Sequence, residues 1–257
     1  MRLLCVSDVH YNLPQMDWTL DQAGRVDVVV LAGDLLDVAG RSPLEAQIAV
    51  VSKYLTRMSR SAVVLASSGN HDLDGPGPDG EQRAGWLPAV DAPQLFVDGC
   101  SVDLEDVRFT VCPWWDGPRT REIVAEQLHD AAVDRPAHWV WVYHSPPAGT
   151  RLCTNGRREY PDPDLTAWID QWQPDMVFCG HIHQAPWVDG GSWVDRQGPT
   201  WVFNAGHQPG HEPPHIVVDF GAQSARWIGS PAEEEEIVDL SDIDRGSDPR
   251  GRRRLDQ

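Results

Sequence analysis

Three short apolar runs open the chain: "LLCVS" at 3–7, "VDVVVLA" at 26–32 and "AVVLASS" at 62–68. Each has strand length, is rich in Val and Leu, and lacks the clean alternation of a half-exposed strand. Each therefore reads as a strand covered on both faces. The stretches between them, roughly 14–24 and 43–59, suit helices, and "SPLEAQ" offers Ser42 as an N-cap with Pro43 as the first helical residue. The order β-α-β-α-β predicts parallel strands joined by crossover helices.

Beyond residue 90 the pattern changes. "PQLFVDG", "CSVDLED" and "VRFTVCPWW" give short strands broken by Asp-Gly and Glu-Asp turns, as in an antiparallel meander. A helix near 119–132 leads into "HWVWVYH" (138–144), and a helix near 162–173 leads into "DMVFCG". Further strands are expected at "TWVFNAG" (200–206), "HIVVDF" (215–220) and "ARWIG" (225–229). Two sheets with helices outside account for this order better than one sheet. The Gly/Pro-rich stretch 73–85, "LDGPGPDGEQRAG", reads as a surface loop able to act as a flap. From residue 230 the chain becomes acidic, then basic, with few large apolar residues. Residues 230–257 are expected to form a disordered charged tail, leaving 1–229 as one domain.

Charge and cysteine usage narrow the function classes. The balance of 39 acidic against 21 basic residues, net −18, repels phosphate backbones and argues against a nucleic-acid polymer or an anionic membrane as partner. A small anionic substrate stays compatible, because a bound metal reverses the field inside a pocket. Cys5, Cys100, Cys112, Cys153 and Cys179 are odd in number and contain no CxxC pair. That argues against a disulfide framework or a zinc knuckle and favours a reducing compartment. No segment has the length of a membrane span, and the apolar stretch before Asp8 is too short for a signal peptide. A soluble, cytoplasmic protein is the expectation.

The residues that follow the apolar runs carry the chemistry. After the first run come Asp8 and His10; after the second, Asp34 and Asp37; after the third, Asn70, His71 and Asp72. His144 follows "WVWVY", and His181 and His183 follow "MVFC". In open α/β sheets ligands bind beyond the carboxyl ends of the strands, so these side chains should converge although they are spread along the chain. Nitrogen and oxygen donors together suit manganese, iron, zinc, nickel or cobalt better than calcium. Asp8, His10, Asp34, Asn70, His144, His181 and His183 are too many for one first-row ion that keeps an open position. Shared between two divalent ions with a bridging carboxylate, they suit the clamp used for displacement at phosphorus. With neutral imidazoles, two such ions and two carboxylates leave a site of about +2, which attracts a phosphate ester. In "GHIH", side chains at i and i+2 share one side only if the backbone is extended there.

The ordered motifs Asp-x-His (8–10), Gly-Asp-x-x-Asp (33–37), Gly-Asn-His-Asp (69–72), His144 and Gly-His-x-His (180–183) resemble those of the calcineurin-like metallophosphoesterases. The resemblance spans residues 3 to about 220. It implies an α/β fold, a four-layer α/β/β/α sandwich of two mixed β-sheets flanked by helices. It also implies a di-metal site in which one ion takes Asp8, His10, Asp34 and His183 and the other takes Asp34, Asn70, His144 and His181. Asp34 is then the bridge, so His181 and His183 serve different ions. His71 is placed against the scissile phosphate, with Asp72 orienting its imidazole. The implied reaction is in-line attack by a metal-bridging hydroxide on a small phosphate ester. A phosphodiester is favoured, with a phosphomonoesterase or nucleotide pyrophosphatase as the alternative and a non-catalytic binding module behind them.

Several residues keep two readings. Trp114 and Trp115 of "PWW" are candidates to stack on substrate, although most of the 12 tryptophans are expected to fill the space between two sheets. Asn204 and Gly206 resemble the family's Asn-x-Gly segment beneath the last ligands. His207 stands where relatives commonly carry a small hydroxyl residue; it either shapes the substrate pocket or is exposed in a loop with His211 and His215. Asp37, Cys179, His129 and His138 are assigned structural roles.

Overall fold

Alternate residues of each central strand face different cores, which is what a strand buried on both faces requires. In the computed structural model, which describes residues 1–229 and 235–242, the first third follows the expected order. β1 (Arg2–Val6), α1 (Leu13–Ala23), β2 (Val28–Ala32), α2 (Leu44–Met58) and β3 (Val63–Ser67) come first. β4 (Gly75–Pro76), β5 (Gln82–Arg83), β6 (Leu95–Val97), β7 (Ser101–Leu104), β8 (Val107–Val111), α3 (Pro118–Ala131) and β9 (His138–Val142) follow. The chain then passes through α4 (Pro163–Trp172), β10 (Met176–Cys179), β11 (Val194–Gln197), β12 (Thr200–Asn204), β13 (His215–Asp219), β14 (Ser224–Ile228) and β15 (Glu235–Asp239).

Two mixed sheets result. One runs β15-β14-β13-β1-β2-β3-β6 and the other β11-β12-β10-β9-β8-β7. The parallel strands are β1, β2, β3 and β6 in the first sheet and β8, β9, β10 and β12 in the second. Leu3, Cys5, Val28 and Val30 face Phe109, Val140, Val142, Phe178 and Phe203 across the space between the sheets. Their neighbours Leu4, Val6, Val29 and Leu31 pack outward on Met16 of α1 and Val51 and Leu55 of α2. On the far side Trp139, Trp141 and Val177 meet Leu128 of α3 and Leu165 and Ile169 of α4. This is the four-layer α/β/β/α sandwich, with its parallel strands delivering their carboxyl ends to one region.

The differences from expectation have physical causes. Helix α2 starts at Leu44, and Pro43 is the N-cap without a side-chain bond. Ser42 caps nothing; its carbonyl accepts from Gln47 Nε2 at 2.9 Å. The 73–85 stretch contains the β4–β5 hairpin, fastened by Gln82 N–H to Asp116 Oδ2 and by Glu81, whose carboxylate accepts the N–H groups of Arg119 and Thr120 at the start of α3. Charged composition hid β15, which pairs antiparallel with β14 at the sheet edge while Leu240 beyond it is buried. An edge strand needs only one covered face, so an acidic segment can take that place. The rest of the expected tail, 230–234 and 243–257, lies outside the described residues. Trp139, Trp141 and Trp168 belong to the helix-side core, whereas Trp193 and Trp227 stack between the sheets.

Candidate metal centre

The loops after β1, β2, β3, β9 and β10 meet at the carboxyl ends of the parallel strands. Main-chain bonds from Asp8 N–H to Gly33 O and from His10 N–H to Asp34 O, both 3.0 Å, lock the first two loops together. Asp8, His10, Asp34 and His181 all adopt left-handed backbone, with φ of 54°, 43°, 55° and 68°. Asp and His tolerate that region better than most side chains, yet it costs free energy and turns the side chains inward. The condition set by "GHIH" therefore fails: the backbone is not extended at His181, and the two histidines reach different neighbours. Gly69 is required by proximity, because a Cβ there would overlap Asp34 Oδ1 and His144 Nε2. Gly33, at φ 84°, likewise has the His144 ring where a side chain would stand.

Two donor sets form around Asp34. Asp8, His10, Asp34 and His183 place one donor atom each within 4.8 Å of one another, and Asp34, His144 and His181 form the second set. His10 Nε2 lies 2.9 Å from His183 Nε2 and 3.7 Å from Asp34 Oδ2. His183 Nε2 is 3.5 Å from Asp8 Oδ1, and His144 Nε2 is 3.3 Å from Asp34 Oδ2. His144 Nδ1 faces Ala32 O at 2.8 Å, so it carries the proton and leaves Nε2 as the donor aimed inward. Asn204 Nδ2 donates to the carbonyls of Gly180 and Ile182, bracing the loop that carries His181 and His183, as its motif implied.

These residues fit divalent cations. Asp8 Oδ2, Asn70 Oδ1, His71 Nδ1 and His144 Nε2 are buried and have no hydrogen-bond partner. Buried polar atoms are nearly always satisfied, so unpartnered atoms on three of the loops that meet here mark a place for a ligand. Charge points the same way. Burial works to raise the Asp8 carboxyl, but the His183 hydrogen bond and the nearby His144 and His183 hold it well below the usual range. Burial opposes charge on His144, yet Asp34 and Asp8 raise it to about 10. His181 falls to about 4 through burial and the adjacent His144 charge. The carboxylates thus draw positive charge into a buried space, and a cation competes there with a proton.

His71 projects toward this centre: its N–H donates to Asp34 Oδ1 at 2.8 Å and its ring centroid lies 4.6 Å from that of His10. Asp72 does not orient it. Asp72 Oδ1 accepts the N–H groups of Leu35 and Leu36, both at 2.9 Å, and Oδ2 accepts that of Gly69 at 2.8 Å. The carboxylate instead ties the Gly69 loop to the loop after β2; three main-chain donors outcompete one ring nitrogen. Burial, and then the charge of Asp34, push this carboxyl up to about 8.

His207 is drawn into the site rather than exposed. Its ring centroid stands 4.9 Å from that of His183 and 5.5 Å from that of His10, and its N–H donates to His183 O at 3.0 Å. His215 is buried on β13 against Trp18, at 4.6 Å between ring centroids. Only His211 of that trio is exposed. Trp114 lies 5.6 Å from His181, whereas the Trp115 indole N–H donates to Tyr143 Oη at 2.7 Å and its ring packs on the core beneath α3 and α4. Asp37 is structural, accepting from Ala39 N–H and donating its own N–H to Gln47.

The calcineurin-like phosphoesterase model matches residues 1–185, which includes every motif through His183. The chain belongs to the calcineurin-like phosphoesterase family. Its fold is similar to that of the protein TT1561 of Thermus thermophilus, with TM-score 0.58, 13% identity, and 93% of this chain and 98% of that chain covered. It is also similar to the purple acid phosphatase PPD1 from seeds of yellow lupin (Lupinus luteus), with TM-score 0.53, 15% identity, and 95% of this chain aligned to 55% of that one. No curated protein sequence matches the chain significantly. The family match ends before His207, so the approach of that ring to His183 is a feature of this structure and not of the matched segment. Its spacing after Asn204 and Gly206 was the available signal.

Proposed function

We propose that the protein is a metal-dependent phosphoric ester hydrolase acting on a small phosphodiester, with the two-sheet sandwich that carries the donor loops as its catalytic unit. The convergence of two donor sets on the shared carboxylate of Asp34 carries this reading. Asp8, His10, Asp34 and His183 would hold one divalent ion, and Asp34, Asn70, His144 and His181 the other. Such ions would supply Lewis-acid charge and would lower the pKa of a coordinated water toward about 7.

The protein's own groups do the rest. Asp34 is common to both donor sets and would hold both ions, and the bond it accepts from the His71 main-chain N–H sets the backbone that carries the imidazole. His71 then lies at the rim of the centre, placed to protonate the ester oxygen as the P–O bond breaks. His207 and Trp114 flank the centre from opposite donor sets and contact the ester's remaining groups. No described helix is long and apolar enough to cross a membrane. The five cysteines are all free, which suits the cytoplasm.

The test is reconstitution. Apo-protein is reloaded singly with manganese, iron, zinc, nickel and cobalt and assayed on matched phosphate mono- and diesters. Turnover of the diester above the monoester supports the proposal. Monoester preference assigns a phosphomonoesterase to the same site, and no turnover with any ion leaves a binding module.

A further inference from the structure

A pocket of about 460 Å³ opens beside the second donor set, with His181 among its lining residues. Trp114 also lines it, and its ring centroid is 5.6 Å from that of His181 and 5.7 Å from that of His144. The Trp114 main chain is held by a 2.9 Å bond from its N–H to Ser68 Oγ, which keeps the residue next to the chemistry, and its ring packs beside His144 and His181. Tyr160 adds a second aromatic face, and the prolines on either side of Asp162 stiffen its loop.

The polar lining is one-sided. Asp116, Asp162 and Asp164 supply carboxylates and Ser145 a hydroxyl, while no lysine or arginine lines the pocket among the described residues. Asp162 is committed internally, capping α4 and accepting the Tyr143 hydroxyl at 2.6 Å. Asp164 pairs with Arg121 at the rim, and Asp116 is exposed with one oxygen bound to Gln82 N–H.

We propose that this pocket takes the organic group of the phosphate ester, and that this group is a planar aromatic, neutral or cationic, without a second anionic charge. The inference rests on the phosphoesterase reading above and narrows its substrate class. Trp114 and Tyr160 offer flat, polarisable faces for an aromatic ring, and their electron-rich faces attract a cation. The volume falls in the range of small-molecule sites. A second phosphate or a carboxylate on the organic group would meet the exposed carboxylate of Asp116, which has no cation paired to it among the described lining residues, while Arg121 at the rim is already taken by Asp164. The net charge of −18 acts in the same direction. Single-phosphate aromatic esters are thus selected over pyrophosphates and polynucleotides.

The reloaded enzyme is assayed on p-nitrophenyl phosphodiesters and on monoesters whose varied group is ethyl, benzyl, 4-aminomethylbenzyl or 4-carboxybenzyl. Calorimetry with the matching phosphonates reads binding independently of turnover. Benzyl and aminomethylbenzyl esters should exceed ethyl in kcat/KM by about fivefold or more. The carboxybenzyl ester should fall about tenfold below benzyl, and Asp116→Asn should recover part of that loss. Trp114→Ala should bring the benzyl-to-ethyl ratio close to one, and Tyr160→Ala, at a more exposed position, should lower the same ratio. Equal kcat/KM and equal phosphonate affinity across all four groups, or a preference for carboxybenzyl, overturns the inference while leaving the phosphoesterase reading intact. Phosphonates binding in the expected order without turnover of any ester would keep the pocket and discard the hydrolase.

Discussion

His10 Nε2 and His183 Nε2 stand 2.9 Å apart, one following β1 and the other following β10. Two imidazole nitrogens at that distance satisfy each other only if one of them is protonated. A cation seated against both, together with Asp8 and Asp34, satisfies all four donors at once. Divalent ions should therefore raise the melting temperature, by linkage worth about 2.7 kcal/mol at a hundredfold excess over Kd. Thermal unfolding with and without chelator checks this; an ion-independent midpoint would contradict the donor geometry.

Asp34 is shared by both donor sets. Asp34→Asn should lose metal from both and abolish turnover, whereas His181→Ala should lower metal content while keeping the set built on Asp8, His10 and His183. Metal analysis of the purified variants separates the two patterns. Wild-type metal content in Asp34→Asn would sink the bridging assignment.

His71 lies beside the donor sets but is not a member of either. His71→Ala should keep its metal and lose turnover by about 10²–10⁴-fold, the range for removing a general acid or base. Steady-state kinetics with metal analysis checks it. Loss of metal on the same scale as turnover would place His71 among the ligands.

Asp72 accepts three main-chain N–H groups in a fully buried position. Asp72→Ala should cost at least about 3 kcal/mol, because each stranded donor costs about 1–3 kcal/mol. Urea unfolding measures it. A variant of unchanged stability with lost activity would instead return Asp72 to a role on the His71 ring.

His215 is buried beside Trp18, and burial lowers its pKa from 6.5, while its Nδ1 faces Pro213 O and Glu212 lies at 4.0 Å. A folded pKa below the unfolded one means that neutral His215 contributes stability above about pH 6.5, and that this is lost as pH falls toward the folded value. The drop in melting temperature between pH 7.5 and about pH 5 should be smaller in His215→Gln than in wild type. An equal or steeper drop would contradict the sign.

Continuous apolar runs bounded by turn residues made the central strands of both sheets legible, because a strand covered on two faces must be apolar throughout. β11 and β15 escaped notice since "VDRQ" and "EEIVD" sit at sheet edges, where few residues need to be apolar and composition carries no signal. For the centre, chain order and spacing named Asp8, His10, Asp34, His144, His181 and His183, all of which the fold brings into two sets. Asn70, between Gly69 and His71 in the loop after β3, keeps a buried Oδ1 without a hydrogen-bond partner. Spacing at "GHIH" left the backbone open, allowing a shared face only if it were extended, and the left-handed turn at His181 decided against that.

What the sequence determined alone is local: which residues end each strand, and that their donors suit divalent metal. Tertiary structure decided every choice between competing partners. Asp72 turned to the N–H groups of Leu35, Leu36 and Gly69, Trp115 to Tyr143, and His207 toward His183, because each outcome depends on groups that only long-range packing brings within reach. Hydrogen bonds and ring contacts act over a few ångströms, and the 173 positions that separate His10 from His183 leave no trace of their 2.9 Å approach in the local pattern.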